Sequence, residues 1–138
     1  MKTSILNGEV YWIKFVGEGN VQKGFRPGVI FQNEVGNVKS PNTVAFPLTK
    51  VLSKSKMPTH VFVSAKGCGL RHDSIVLCEN PQTISKTNLG SYITRLPREV
   101  MKEVAIAQLI ATPAISYLDT NEMLKVWTIS KRLNELAA

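Results

Sequence analysis

From Glu9 to Phe15 the chain alternates, with Tyr11, Ile13 and Phe15 on one face and Val10 and Trp12 on the other. A period of two with apolar residues on both sides predicts a strand with both faces largely covered, Trp12 packed inward. Residues 16–24 break the pattern: Gly17, Gly19 and Gly24 are interleaved with Glu18, Asn20, Gln22 and Lys23. A polar stretch of such permissive backbone predicts a mobile loop. Short β-rich runs return at 28–33, 43–46, 60–64 and 74–78, separated by clusters of Pro, Gly, Asn and Ser. Several short strands at this spacing point to a small barrel.

After Leu96 the period lengthens. Pro97 suits a first helical position, where its missing amide is not needed, and Glu99 brings negative charge to the first turn. Val100, Val104, Ala107 and Ala111 then repeat as a core-facing helical stripe until Pro113 stops it. A second helix is predicted from Asn121, its cap, with Val126, Ile129, Leu133 and Leu136 along one side and Lys125, Lys131 and Arg132 on the polar face. The expected architecture is therefore mainly β with C-terminal helices, an α+β single domain.

Composition narrows this picture. At 138 residues and 43% hydrophobic content the chain can bury one ordinary core, not two comfortable ones. Seventeen Lys and Arg against ten Asp and Glu leave a formal charge of +7, which favours a polyanionic partner, nucleic acid first. A basic soluble domain with no such partner would carry the same charge, so charge supports this reading without deciding it. The longest apolar stretch, 104–115, is interrupted by Gln108, Thr112 and Pro113 and falls short of the roughly 20 residues that span a bilayer. No membrane partner is expected. The N-terminus reaches Asn7, Gly8 and Glu9 before any apolar segment of a cleaved signal forms, which points to the cytoplasm. Cys68 and Cys78 make neither a redox pair nor a zinc pattern, and His60 and His72 do not complete one. Two reduced, structural thiols and no metal or other cofactor are expected.

Glu9-Val10-Tyr11, Phe25-Arg26-Pro27, Ile30-Phe31-Gln32-Asn33, Pro47-Leu48-Thr49, Pro58-Thr59-His60-Val61 and Asp73-Ser74-Ile75-Val76-Leu77 follow one another in an order and spacing that resemble the MazF/PemK toxins. Each motif alone is common; their succession is not. The resemblance runs over residues 8–118, so a barrel domain at 1–118 and a helical extension at 119–138 are expected. It implies a CcdB-like small β-barrel that forms a homodimer, cuts single-stranded RNA at short sequences without a metal, and is held in check by a cognate, MazE-like antitoxin of a type II toxin–antitoxin system. It implies Arg26 and Thr49 as the catalytic pair. It also implies RNA contacts from the loop before the arginine, at Glu18, Gln22 and Lys23, and from Asn33, Lys56, Glu79 and Asn80.

The chemistry of those two residue types agrees with cleavage by the RNA's own 2′-hydroxyl. A guanidinium is a permanent cation with a planar fork matched to phosphate oxygens, suited to charge developing on a phosphorane. A threonine hydroxyl donates or accepts and would orient a phosphate or a 2′-hydroxyl rather than titrate. Taken singly, Arg26 could equally pack its stem and meet a carboxylate, and Thr49 could end a strand and cap a turn. Glu79 reads as either a solvated strand end or an acceptor for a base edge. His60 stands in reserve for proton transfer, though a lone histidine at a strand start is more often structural. The Lys50, Lys54 and Lys56 run is either a wet loop or a phosphate track. Trp12 and Phe31 could stack bases, but core packing is the expectation for both.

Two places depart from the family pattern. Gly28 stands where a larger apolar residue is usual, which predicts a locally looser strand beside the arginine. Asn80-Pro81-Gln82 replaces a usual Gln, aliphatic, Arg segment, and Pro81 removes a backbone donor, so a different cleavage sequence is expected. Two other functions remain open at this point: an RNA-binding barrel without turnover, and a CcdB-like DNA-topoisomerase inhibitor on the same fold.

Overall fold

The computed structural model describes residues 4–16, 24–50 and 57–137. The expected loop contacts Glu18, Gln22 and Lys23, and with them Lys54 and Lys56, lie outside the described residues. Seven strands form one antiparallel sheet: β1 (Glu9–Phe15), β2 (Gly24–Ile30), β3 (Asn42–Lys50), β4 (His60–Val63), β5 (Ser74–Leu77), β6 (Gln82–Ser85) and β7 (Leu89–Arg95). Among the described residues the sheet is accompanied by three α-helices, α1 (Glu34–Lys39), α2 (Arg98–Ala111) and α3 (Thr120–Ala137), and two short 3-10 turns.

The strand order is β4-β5-β3-β2-β1-β7, with β6 pairing β3 off that path. The expected antiparallel β architecture with C-terminal helices is what forms, but the ladder does not close into a barrel. Its two ends approach through a loop instead. A Cβ added at Gly69, on the β4–β5 connection, would lie 2.5 Å from the Thr94 Oγ1 of β7. Only a glycine, here at φ 77°, allows that approach.

Strand alternation gives the sheet two apolar faces. Val10, Val29, Phe46, Val63 and Val76 join Val104 and Ala107 of α2 in one buried cluster. Tyr11, Ile13, Phe15, Ile30, Ala45 and Ile84 build the other, on the opposite side. Val104 and Ala107 are the buried members of the predicted helical stripe, each fully buried aliphatic side chain stabilising by about 1.5–3 kcal/mol where it is as large as Val.

Several expectations are corrected. β1 has only one face fully covered, since its burial pattern leaves Trp12 and Lys14 exposed; Trp12, expected in the core, is 45% exposed. Phe31 does pack against the first cluster and against the Phe46 ring. Pro97 is the cap residue of α2 rather than its first helical residue. α3 starts one residue before Asn121, and its cap is Asp119: the Glu122 N–H donates to Asp119 Oδ1 at 2.8 Å while the Asp119 N–H donates to Glu122 Oε1 at 3.0 Å. This reciprocal pairing satisfies two orphan donors at once. α3 lies against α1, its predicted stripe of Val126, Ile129 and Leu136 remaining largely exposed.

Candidate active site

The β2–β3 ladder pairs Ile30 with Ala45, Val29 with Phe46 and Gly28 with Pro47, and there it stops. Pro27 is the next residue on β2 and has no amide to donate. On the facing strand, Pro47 marks the point where β3 changes partner, because from Leu48 onward it pairs with β5. The strands fork. Arg26 and Thr49 each lie two residues beyond the last pair, on the two arms of that fork.

Alternation also settles the direction in which they project. Arg26 is the cross-strand partner of Ile13, and Thr49 of Ile75. Arg26 therefore shares its face with Gly28 and Ile30, and Thr49 with Ala45 and Pro47, which is the same side of the sheet. Both side chains are half-buried. The Arg26 Nε is buried and has no hydrogen-bond partner, and among the described residues no carboxylate pairs with this guanidinium. The stem-and-carboxylate alternative for Arg26 is thus absent from the described structure. An unpartnered buried donor costs about 1–3 kcal/mol, more when charged, which makes this guanidinium available to an acceptor from outside the described residues.

Gly28 is not a loose point. A Cβ there would lie 2.6 Å from Phe15 Cζ and 2.7 Å from Ile13 Cδ1, so two larger side chains already fill the space. The expectation of a slack strand is corrected: the volume missing at position 28 is supplied from β1, and the backbone bearing Arg26 is backed by close packing.

The same face carries a second pair. His60, opposite Leu77 in the β4–β5 ladder, holds Glu79 with Nε2 2.8 Å from Oε2. The His60 side chain is 14% exposed and Glu79 32%, and His60 Nδ1 is buried without a partner. The reserve histidine and the expected RNA-contacting glutamate are therefore one unit, and Glu79 is not a simple solvated strand end. Between this unit and Thr49, the register sets Thr49 opposite Ile75 and Ile75 opposite Phe62, which is 56% exposed. Phe62 was overlooked in the sequence because it alternates with Val61 and Val63 in what reads as core.

Other expected contacts sit elsewhere. Asn33 caps α1, its Oδ1 accepting from the Gly36 N–H at 2.9 Å, at the opposite end of β2 from Arg26. Asn80 is half-buried in the turn after β5, its N–H donating to the Leu77 carbonyl at 3.1 Å. A cavity of about 670 Å³ touches Thr49 and Lys50 and is lined further by Trp12, Pro27, Leu48, Arg71 and His72. Trp12, Pro27 and Leu48 line it on the side of the sheet opposite Arg26, which is not among its lining residues, so Arg26 and Thr49 do not meet in it. Arg71 and His72, two basic side chains on its wall, were missed; their adjacency just before Asp73 was the available signal. Cys68 and Cys78 are both free. Burial, with the Glu79 charge beside it, pushes the Cys78 thiol up to about 12, which keeps it protonated and inert.

With this geometry in place, comparison with known proteins gives a consistent answer. Residues 6–110 match the model of the PemK-like, MazF-like toxins of type II toxin–antitoxin systems, and the chain belongs to that family. It is 36% identical over 114 residues to Endoribonuclease EndoA of Bacillus subtilis (strain 168), covering 82% of this chain and 98% of that protein. A mycobacterial endoribonuclease solved in complex with its cognate antitoxin superposes with a TM-score of 0.66 at 26% identity, covering 78% of this chain and 94% of that one. MazF from Deinococcus radiodurans shares the fold at a TM-score of 0.67 and 19% identity, over 83% and 98% of the two chains.

Proposed function

We propose that this chain is the endoribonuclease of a type II toxin–antitoxin pair, cutting single-stranded RNA from the fork between β2 and β3. The observation that carries the reading is Arg26: a guanidinium with a buried, unpartnered Nε, on the same sheet face as the Thr49 hydroxyl and just past the ladder's last pair. The attacking 2′-oxygen bonds to phosphorus and the bond to the 5′-oxygen breaks, so negative charge builds on the phosphoryl oxygens. Arg26 stabilises that charge, and Thr49 orients the phosphate or the 2′-hydroxyl. The products are a 2′,3′-cyclic phosphate and a 5′-hydroxyl that takes up the proton. No metal enters this scheme.

Glu18, Gln22, Lys23 and Lys56 extend the RNA path in this reading, with Glu79 beside the β4–β5 hairpin; Asn33, at the α1 cap, and Asn80, in the turn after β5, are its outlying contacts. The active form is a homodimer, inhibited by a MazE-like antitoxin; a mycobacterial endoribonuclease solved in complex with its cognate antitoxin supports the second point. Among the described residues no helix is long and apolar enough to cross a membrane, and in this reading the chain acts on RNA in the cytoplasm. Residues 1–118 form the catalytic body and 119–138 an extension to it; the family match, ending at residue 110, supports that division. The test is cutting of unpaired RNA in excess chelator. Parent protein yields the cyclic phosphate, and Arg26→Ala and Thr49→Ala, each folded, do not. Full rate in both variants would refute the site.

A further inference from the structure

We infer that Phe62, together with the His60–Glu79 pair, forms a nucleobase subsite beside the cleavage point: Phe62 stacks one unpaired base, and Glu79 accepts a hydrogen bond from that base's exocyclic amino group. The inference rests on the proposed RNA-cutting function and adds a recognition element to the same face.

Position comes first. Thr49, Ile75 and Phe62 are successive cross-strand partners on β3, β5 and β4. With neighbouring strands about 4.8 Å apart, the Phe62 ring stands roughly 10 Å from Thr49 on the same side of the sheet. That is one to two nucleotides along an extended strand.

Chemistry comes second. Phe62 is 56% exposed, in a strand whose other apolar residues, Val61 and Val63, are buried. An exposed ring, here beside the half-buried Ile75, is the platform that single-strand binders use, because every base has a stackable face. Two residues away on the same edge strand, His60 fixes Glu79 through Oε2. That bond leaves Glu79 Oε1 as an acceptor with no donor available from the histidine. A carboxylate acceptor selects the amino group of cytosine or adenine and repels the carbonyl edge of uracil. His60 is thus a positioning residue, and Glu79 reads the base.

The experiment measures fluorescence-anisotropy binding of the full chain to short 2′-fluoro oligocytidylate, oligoadenylate and oligouridylate, none of which can be cut. Phe62→Ala is expected to weaken binding of all three about tenfold, with Phe62→Trp retaining it. Glu79→Gln is expected to abolish the preference for cytosine and adenine over uracil. His60→Ala relaxes that preference while leaving oligouridylate binding unchanged, and His60→Gln restores part of it. Unaltered binding by folded Phe62→Ala, or an unaltered base ratio in Glu79→Gln, would overturn the subsite. A parent protein that shows these binding effects yet leaves ordinary RNA whole would sink the nuclease reading and keep the subsite.

Discussion

The two ends of the β2–β3 pair spend their polar groups in opposite ways. At the Ile30 end, Asn7, Gln32 and Asn37 form a saturated amide network. The Gln32 N–H donates to Asn7 Oδ1 at 2.7 Å, Thr43 Oγ1 donates to Asn37 Oδ1 at 2.8 Å, and Lys86 Nζ donates to the Asn37 carbonyl at 2.6 Å. Asn37 is fully buried there. At the fork end, Arg26 Nε and His60 Nδ1 are buried with nothing to bond. Saturated groups hold a structure together, and unspent ones wait for a ligand. On the proposed function, the contrast would separate residues that stabilise from residues that act.

The sharpest way to break it is Arg26→Ala. Losing a preordered donor to developing charge should cut the cleavage rate about a hundredfold or more, with the urea midpoint nearly unmoved. A large stability loss with retained turnover per folded molecule would make Arg26 structural. Asn37→Ala should do the reverse, removing about 2–3 kcal/mol by stranding the buried Thr43 hydroxyl and taking a donor from the Gln32 carbonyl, while folded protein keeps its turnover. Gly28→Ala asks whether the backbone at the fork is tightly backed. Crowding Phe15 and Ile13 should lower stability by about 1–3 kcal/mol in thermal unfolding. A raised melting temperature would mean that spare room exists and that only unfolded-state entropy changed.

The smallest effect concerns Cys78. Its folded thiol keeps its proton to about 12, against an ordinary value of 9.0. Between those values the folded chain holds more protons than the unfolded chain, so stability must fall as pH rises past about 9. Urea midpoints at about pH 8 and about pH 10 should show a steeper decline for the parent than for Cys78→Ala. Equal slopes would show that the thiol does not titrate as its burial requires.

Much of the scaffold was legible. β1 was read to its ends because its period-2 pattern is clean, and β4 and β5 to within one residue. β2 and β3 were read short at the fork, since Pro27 and Pro47 look like strand breakers in a linear chain; they are tolerated because the ladder gives out there. Residues 31–33, read as strand, instead lead into α1. That helix was missed because Val35, Gly36, Asn37 and Val38 are poor helix formers, and tertiary hydrogen bonds to Asn37 override that preference. β6 and β7 were missed because Gln82, Thr83, Gly90 and Ser91 dilute the apolar signal, and their ladders are non-local.

The site was partly legible. Arg26 and Thr49 were proposed from motif order, and their common face depends on register, which no linear spacing reveals. The joining of His60 to Glu79 depends on a hairpin across nineteen positions in sequence. Trp12 was misjudged because burial of a strand's second face depends on what folds over it, which periodicity does not report.

The prolines at the fork impose a trade. Every further rung between β2 and β3 would make the sheet firmer, and a residue with an amide at position 27 would let the strands zip toward Arg26 and Thr49. Such a protein would unfold less readily and cleave poorly, its working groups drawn into the weave.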